Sequence, residues 1–258
     1  GNVLAQWDQI FAEFEDFYGP INLYSNVDPN AEIRQAADDC EVKINQFQTE
    51  IYQDANLYQQ IKKIKTSNEI DTKYRQDILD GFEENGIQLS TDKQARLKVI
   101  LDNLTKIQQE FARNIRDNPE KVEFTADELK GLPDSYIANL KKNEQGQYLL
   151  GFDYPEYLPF MQMADSDEAR KHYQIAYTRR GTEKNLVLLK QAIDLRYELA
   201  QLFGYKSYAD WKLKNRMAQN PETVNHFLNE VHTIVETLEK KEVQTLREIK
   251  AKKIKNQV

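Results

Sequence analysis

One cysteine, Cys40, serves the whole 258-residue chain, which excludes an internal disulfide and every multi-cysteine zinc motif and fits a reducing compartment. Nine glycines and seven prolines are few for this length, and that scarcity argues against a turn-rich β protein. No stretch approaches the roughly 18 consecutive apolar residues that a bilayer-spanning helix needs, and no basic-then-apolar signal opens the chain. Net positive charge is also missing. At −7 overall, with a pI of about 5.2, the field repels a phosphate backbone and gives no support to nucleic-acid binding.

What is present is a core and the helices to build it. Apolar residues make up 40% and charged residues 30% of the chain, and a domain of this size buries about 70–75% of its unfolded surface. The expected class is all-α: a multi-helix domain of long antiparallel helices.

Val3, Trp7, Ile10, Phe14 and Phe17 recur in steps of three and four on a first helix, which Gly19-Pro20 is expected to end. Asp28-Pro29 should start the next, since Asp caps well and Pro is tolerated in a first turn. That helix carries Ile33, Ala37, Cys40, Ile44, Phe47 and Ile51 as one apolar stripe, with Cys40 read as a buried structural residue. Helices follow over 56–65 and 69–84, the second closed by Asn85-Gly86. Ser90-Thr91 cap a long helix striped by Leu97, Leu101, Leu104, Ile107, Phe111 and Ile115, the expected antiparallel partner of the Ile33–Ile51 helix.

Between about 121 and 160 the pattern changes. Val122, Phe124, Leu149 and Phe152 sit in short alternating runs, predicting a minor two-stranded β element near 121–124 and 147–153, with a capping box at Thr125 and Glu128 between them. Helices then return over 166–178, 183–203 and 207–215. A last one begins at Asn220-Pro221 and is striped by Val224, Leu228, Val231, Val235, Leu238, Leu246 and Ile249. A division into helical hairpins over 1–118 and a mixed corner plus helices over 119–258 is one option. Both ends read as cuts, Gly1-Asn2-Val3 running straight into an amphipathic pattern and Asn256-Gln257-Val258 closing without a helix stop.

With three histidines, every histidine site can be tested. Their followers are Tyr173, Phe227 and Thr233, so H-E-x-x-H, two imidazoles one turn apart with a general-base glutamate, does not occur. His226 and Glu230 share a helical face, but His232 points about 240° away from His226, and two ligands seldom hold zinc. His226 and His172 therefore read as surface or packing residues rather than metal ligands. The sequence also lacks G-x-S-x-G, G-x-G-x-x-G and G-x-x-x-x-G-K-[ST]. Paired carboxylates such as Asp38-Asp39 and Glu83-Glu84 are expected by chance among 42 acidic residues. The lysines at 250, 252, 253 and 255 read as a helix C-terminal turn.

One stretch is conspicuous. From Tyr148 to Met161, aromatics are interleaved with Pro155 and Pro159, and two readings stay open: a packed strand-to-helix corner, or a groove wall for peptide presented by Tyr154, Tyr157 and Phe160.

Short motifs in fixed order carry a resemblance. Phe124-Thr125 with Glu128-Leu129-Lys130-Gly131-Leu132-Pro133, then Tyr154-Pro155-Glu156-Tyr157-Leu158-Pro159, then Arg179-Arg180-Gly181, then Leu195-Arg196-Tyr197-Glu198-Leu199-Ala200-Gln201-Leu202-Phe203-Gly204-Tyr205 with Tyr208-Ala209-Asp210, and finally Met217-Ala218, resemble the front part of the thimet oligopeptidase, neurolysin and oligopeptidase A family of zinc metallopeptidases. The resemblance implies an N-terminal helical region of a larger peptide-hydrolysing enzyme, forming one wall of its substrate channel. It implies zinc in the parent protein and a C-terminal catalytic half that this chain lacks, so no catalytic or metal-binding residue is carried onto any position here. The expected chain is cytoplasmic, with a targeting segment ahead of Gly1 left open. It is inactive alone, binds no zinc itself, has peptide substrates only through the full-length protein, and is prone to self-association. The rival reading is a stand-alone helical scaffold that binds peptides or a protein without catalysis.

Overall fold

The computed structural model describes residues 3–255, with side chains to Lys252. The termini read as cuts at Gly1-Asn2 and Asn256-Gln257-Val258, and the Lys253 and Lys255 side chains, lie outside the described residues. Among those described, the order is α1 (Val3–Val27), α2 (Ala31–Tyr52), α3 (Ala55–Lys63), α4 (Glu69–Glu84), α5 (Thr91–Arg116), β1 (Val122–Phe124), α6 (Asp134–Ile137), β2 (Lys141–Lys142), β3 (Tyr148–Leu150), α7 (Tyr154–Met163), α8 (Asp167–Thr178), α9 (Thr182–Leu202), α10 (Tyr208–Leu213) and α11 (Pro221–Lys255). The protein is a mostly α chain with one small antiparallel sheet. It divides into two units, one made of 1–18, 45–100 and 195–258, the other of 19–44 and 101–194.

The first unit is built on short-range helix signals. Asp54 caps α3 by accepting from the amides of Asn56 and Leu57, and Asn68 caps α4 by accepting from Asp71. These side chains satisfy amides that have no partner inside the helix. The core gathers Leu4, Tyr58, Ile61, Ile78, Leu79 and Phe82, with Trp7 and Tyr52 packed against it. Phe82 is its centre, with Tyr52 at 5.2 Å and Tyr58 at 5.6 Å between ring centroids. At Gly86, φ is +83° and an added Cβ would lie 2.7 Å from Leu97 Cδ2, so the turn from α4 toward α5 requires glycine.

The second unit contains a polar seam joining α1, α2 and α5. Ser25 donates to Asp38 at 2.6 Å, Arg113 pairs with the same carboxylate, and Arg116 donates to the Ser25 carbonyl. Asn22 donates to Glu41 at 2.7 Å, and Gln109 donates to the Asp38 carbonyl at 2.9 Å. Asp38 facing Arg113 and Arg34 facing Asp117 set α2 and α5 antiparallel. Buried carboxylates survive here because each one accepts from several donors.

This seam overturns two expectations. Gly19-Pro20 does not end α1, which runs through Pro20 to Val27. Proline forfeits one backbone hydrogen bond, and Asn22 and Ser25 hold the following turns to α2. The next helix starts at Ala31 rather than at Asp28-Pro29: Asn30 accepts from the Glu32 amide and Asp28 from the Asn30 amide. Within α2, Ala37 and Ile44 are buried, whereas Ile33 and Phe47 are exposed and Cys40 between them is half-buried rather than enclosed. Its stripe is two heptad rows, and only one of them faces the core.

The sheet order is β1-β3-β2, with Val122 opposite Leu150, Phe124 opposite Tyr148 and Lys142 also opposite Tyr148. It therefore has three strands, not two, the third being the exposed pair Lys141-Lys142. The Thr125–Glu128 box forms, with the Thr125 amide donating to Glu128 at 2.8 Å, yet it closes a turn rather than opening a helix. The short α6 and the proline-containing α7 were not predicted from periodicity.

Candidate functional site

The aromatic stretch folds as β3, a bend and α7, all in the second unit. Pro155 stands in the first turn of α7, where its missing N–H costs nothing. From there the three candidate rings diverge. Phe160 is wholly enclosed, 4.5 Å from Phe124 and 5.0 Å from Tyr173 between centroids. Tyr157 is half-buried, stacked on Tyr177 at 3.8 Å and edge-on to Tyr173 at 5.1 Å. Tyr154 is 68% exposed. Phe160 cannot touch a peptide, because its ring fills the corner's core, so the surface it was expected to share is left to Tyr154 and Tyr157.

Behind these rings the corner is tied down by hydroxyls. Buried Tyr173 donates to the Gly151 carbonyl and Tyr136 to the Glu156 carbonyl. Burial pushes both phenols well above the ordinary tyrosine range, and Tyr157 is raised for the same reason, with Arg180 acting against it. Arg180 lies over the Tyr177 ring at 3.7 Å and donates from Nε to the Tyr177 carbonyl at 2.8 Å. Tyr157, Tyr177 and Arg180 thus form one aromatic and cationic stack.

Two clefts open beside it. A space of about 450 Å³ is lined by Glu120, Lys121, Glu123, Gln147, Phe152 and His172. A larger one of about 810 Å³ is lined by residues including Arg113, Asp117, Arg179, Thr182 and Lys184. Asn114, also in its lining, donates to buried Asn185 at 2.9 Å, and Asn185 donates in turn to the Phe111 carbonyl at 3.1 Å. The Arg116 hydrogen bond, with Arg34 and Arg113 nearby, holds Asp117 below the usual carboxylate range. No sequence spacing announces this cleft, because Arg113 lies on α5 and Arg179 at the C-cap of α8, 66 positions apart.

The histidines stay apart. His226 faces Glu230 at 3.4 Å on the exposed surface of α11, His232 is exposed on the same helix, and His172 packs 5.9 Å from the Phe124 ring. Among the described residues no group of three or more His, Cys, Asp or Glu could hold a metal ion, and no helix is long and apolar enough to cross a membrane. The donors present do not fit zinc: the one His–Glu pair offers two ligands on open surface.

Comparison with known proteins gives the family context. Residues 160–258 match the model of Peptidase family M3. The chain is 25% identical over 97% of its length to the thimet-like oligopeptidase of Dictyostelium discoideum, covering 39% of that protein. It is 28% identical over 95% of its length to saccharolysin of Saccharomyces cerevisiae, covering 37%. It is 30% identical over 93% of its length to oligopeptidase A of Salmonella typhimurium, covering 39%. The chain spans well under half the length of the curated relatives it matches. Its ordered motifs and these matches agree: the chain resembles peptidase family M3 over residues 160–258, and thimet-type oligopeptidases along nearly its whole length.

Proposed function

We propose that this chain is the N-terminal, non-catalytic region of a zinc oligopeptidase that hydrolyses short peptides, and that it contributes one wall of the channel through which they reach the catalytic part. The observation that carries this reading is the form of the similarity: 97% and 93% of this chain align with a thimet-like oligopeptidase and an oligopeptidase A, but only 39% of each of them is matched. A zinc ion in such an enzyme activates water. Among the described residues no group could hold that ion, and this reading therefore assigns the chemical steps to residues outside them.

The part assigned to this chain is shape. Tyr154 offers an exposed ring, and the stack of Tyr157, Tyr177 and Arg180 gives a surface that need not reorganise when a peptide arrives. The encoded sequence beyond residue 258 tests the reading, which expects the frame to continue into H-E-x-x-H. The purified chain should bind no stoichiometric zinc and leave a quenched fluorescent peptide uncut. One tightly bound zinc per chain, or cleavage by the chain alone, would overturn it. Peptide binding by the chain alone, with a stop codon after Val258, would favour a helical scaffold without catalysis.

A further inference from the structure

We propose that Arg180 is a carboxylate-binding residue on the aromatic surface of the second unit, taking the C-terminal carboxylate or an acidic side chain of a bound peptide. In that unit Arg34, Arg113, Arg116 and Arg170 each pair with an aspartate. Arg180 pairs with no carboxylate among the described residues, although it is half-buried. Its one hydrogen bond among them runs from Nε to the Tyr177 carbonyl at 2.8 Å, which leaves both Nη groups without an acceptor there. They are not sealed from solvent, since the buried side-chain atoms that lack a partner belong to Arg34, Arg75 and Trp211.

The guanidinium is also set in place. Its centre lies 3.7 Å over the Tyr177 ring and 5.5 Å over that of Phe152, so the Nε bond and the ring contacts orient its plane before any ligand arrives. A planar fork with both Nη groups open matches the two oxygens of a carboxylate. A carboxylate is also the anion that a peptide brings, at its C-terminus or on Asp and Glu, and Tyr157, stacked on Tyr177 at 3.8 Å, offers ring area beside it. With a net charge of −7 the chain as a whole repels anions, so a preference for one has to come from a local group. This inference rests on the proposed peptide-facing role of the surface.

Titrating the 258-residue chain with three N-acetylated pentapeptides of alanine and leucine tests it: one with a free C-terminal carboxylate, one amidated, and one amidated with a central glutamate. At least one carboxylate-bearing peptide should bind about tenfold more tightly than the neutral amide. Tighter binding of the free acid would assign the C-terminus, and tighter binding of the glutamate peptide the acidic side chain. Arg180→Gln should erase the preference and leave the Kd of the neutral peptide unchanged. Arg180→Lys, which keeps a cation over the ring but not the fork, should lose most of the preference even where Arg180→Gln melts early. Equal binding of all three peptides, or a preference that survives Arg180→Gln, would overturn the inference and leave the peptide-facing surface standing. Binding of none of the three at millimolar concentration would overturn the peptide-facing reading of this surface, and the inference with it.

Discussion

Arg96 on α5 and Glu198 on α9 meet through two parallel hydrogen bonds, Nε to Oε1 at 2.5 Å and Nη2 to Oε2 at 2.7 Å, although 102 positions separate them. The guanidinium hydrogen bond holds the Glu198 carboxyl below its ordinary range. A depressed carboxylate contributes stability above its unfolded pKa, about 4.3, and loses it as pH falls through the lower folded value. Glu198→Gln should therefore lower the urea midpoint slightly at neutral pH, and the gap to the parent should close in acid. Both side chains are substantially exposed, so the effect is small and shrinks in high salt.

The tyrosines give the opposite sign at the alkaline end. Burial, then the hydrogen bond that the Tyr74 hydroxyl donates to Asp8, pushes Tyr74 up to about 12, and burial raises Tyr136 and Tyr173 as well. A phenol raised above its unfolded value of about 10 favours the fold below that pH and costs stability as pH rises past it. A near-ultraviolet absorbance titration should show these three ionising only with alkaline unfolding. Tyr74→Phe, Tyr136→Phe and Tyr173→Phe should each remove one group from that late step; a group still titrating early would contradict its burial.

Local signals in the sequence were legible where they act locally. Ser166 and Ser207 each accept from an amide three residues on and open α8 and α10, and Gly86 takes positive φ after α4. What could not be read depends on partners distant in sequence. Pro20 is a stop signal that Asn22 and Ser25 override by bonding to α2. Lys141-Lys142 has no apolar alternation and is a strand because β3 pairs with it. The aromatic corner was visible as a cluster, but which ring faces inward depends on Phe124 and Tyr173. Composition near Phe160 does not carry that information.

Two glycines should respond in opposite directions. Gly131 has φ +91°, and an added Cβ would lie 2.3 Å from the Met163 carbonyl oxygen. Gly131→Ala should cost at least about 1–3 kcal/mol. Gly19 lies inside α1 with nothing within 4 Å of an added Cβ, so Gly19→Ala should stabilise by about 0.5–1 kcal/mol. Equilibrium urea unfolding of the two variants checks both, and a neutral Gly131→Ala would show that the turn can relax.

The aromatic corner separates structural from surface roles at two positions six apart on one helix. Phe160 is fully enclosed and touches both Phe124 and Tyr173. Removing its ring leaves a cavity that β1, β3 and α8 cannot all collapse into, so Phe160→Ala should cost about 3–5 kcal/mol. Tyr154 projects into solvent, and Tyr154→Ala should stay within about 0.5 kcal/mol of the parent. If the exposed ring belongs to a channel wall, the same Tyr154→Ala change placed in a full-length enzyme should raise KM for a short peptide with kcat little altered, the pattern of lost uniform binding. An unchanged KM would mean that the corner serves packing alone. A Tyr154→Ala chain as destabilised as Phe160→Ala would show that the outer ring, too, belongs to the core.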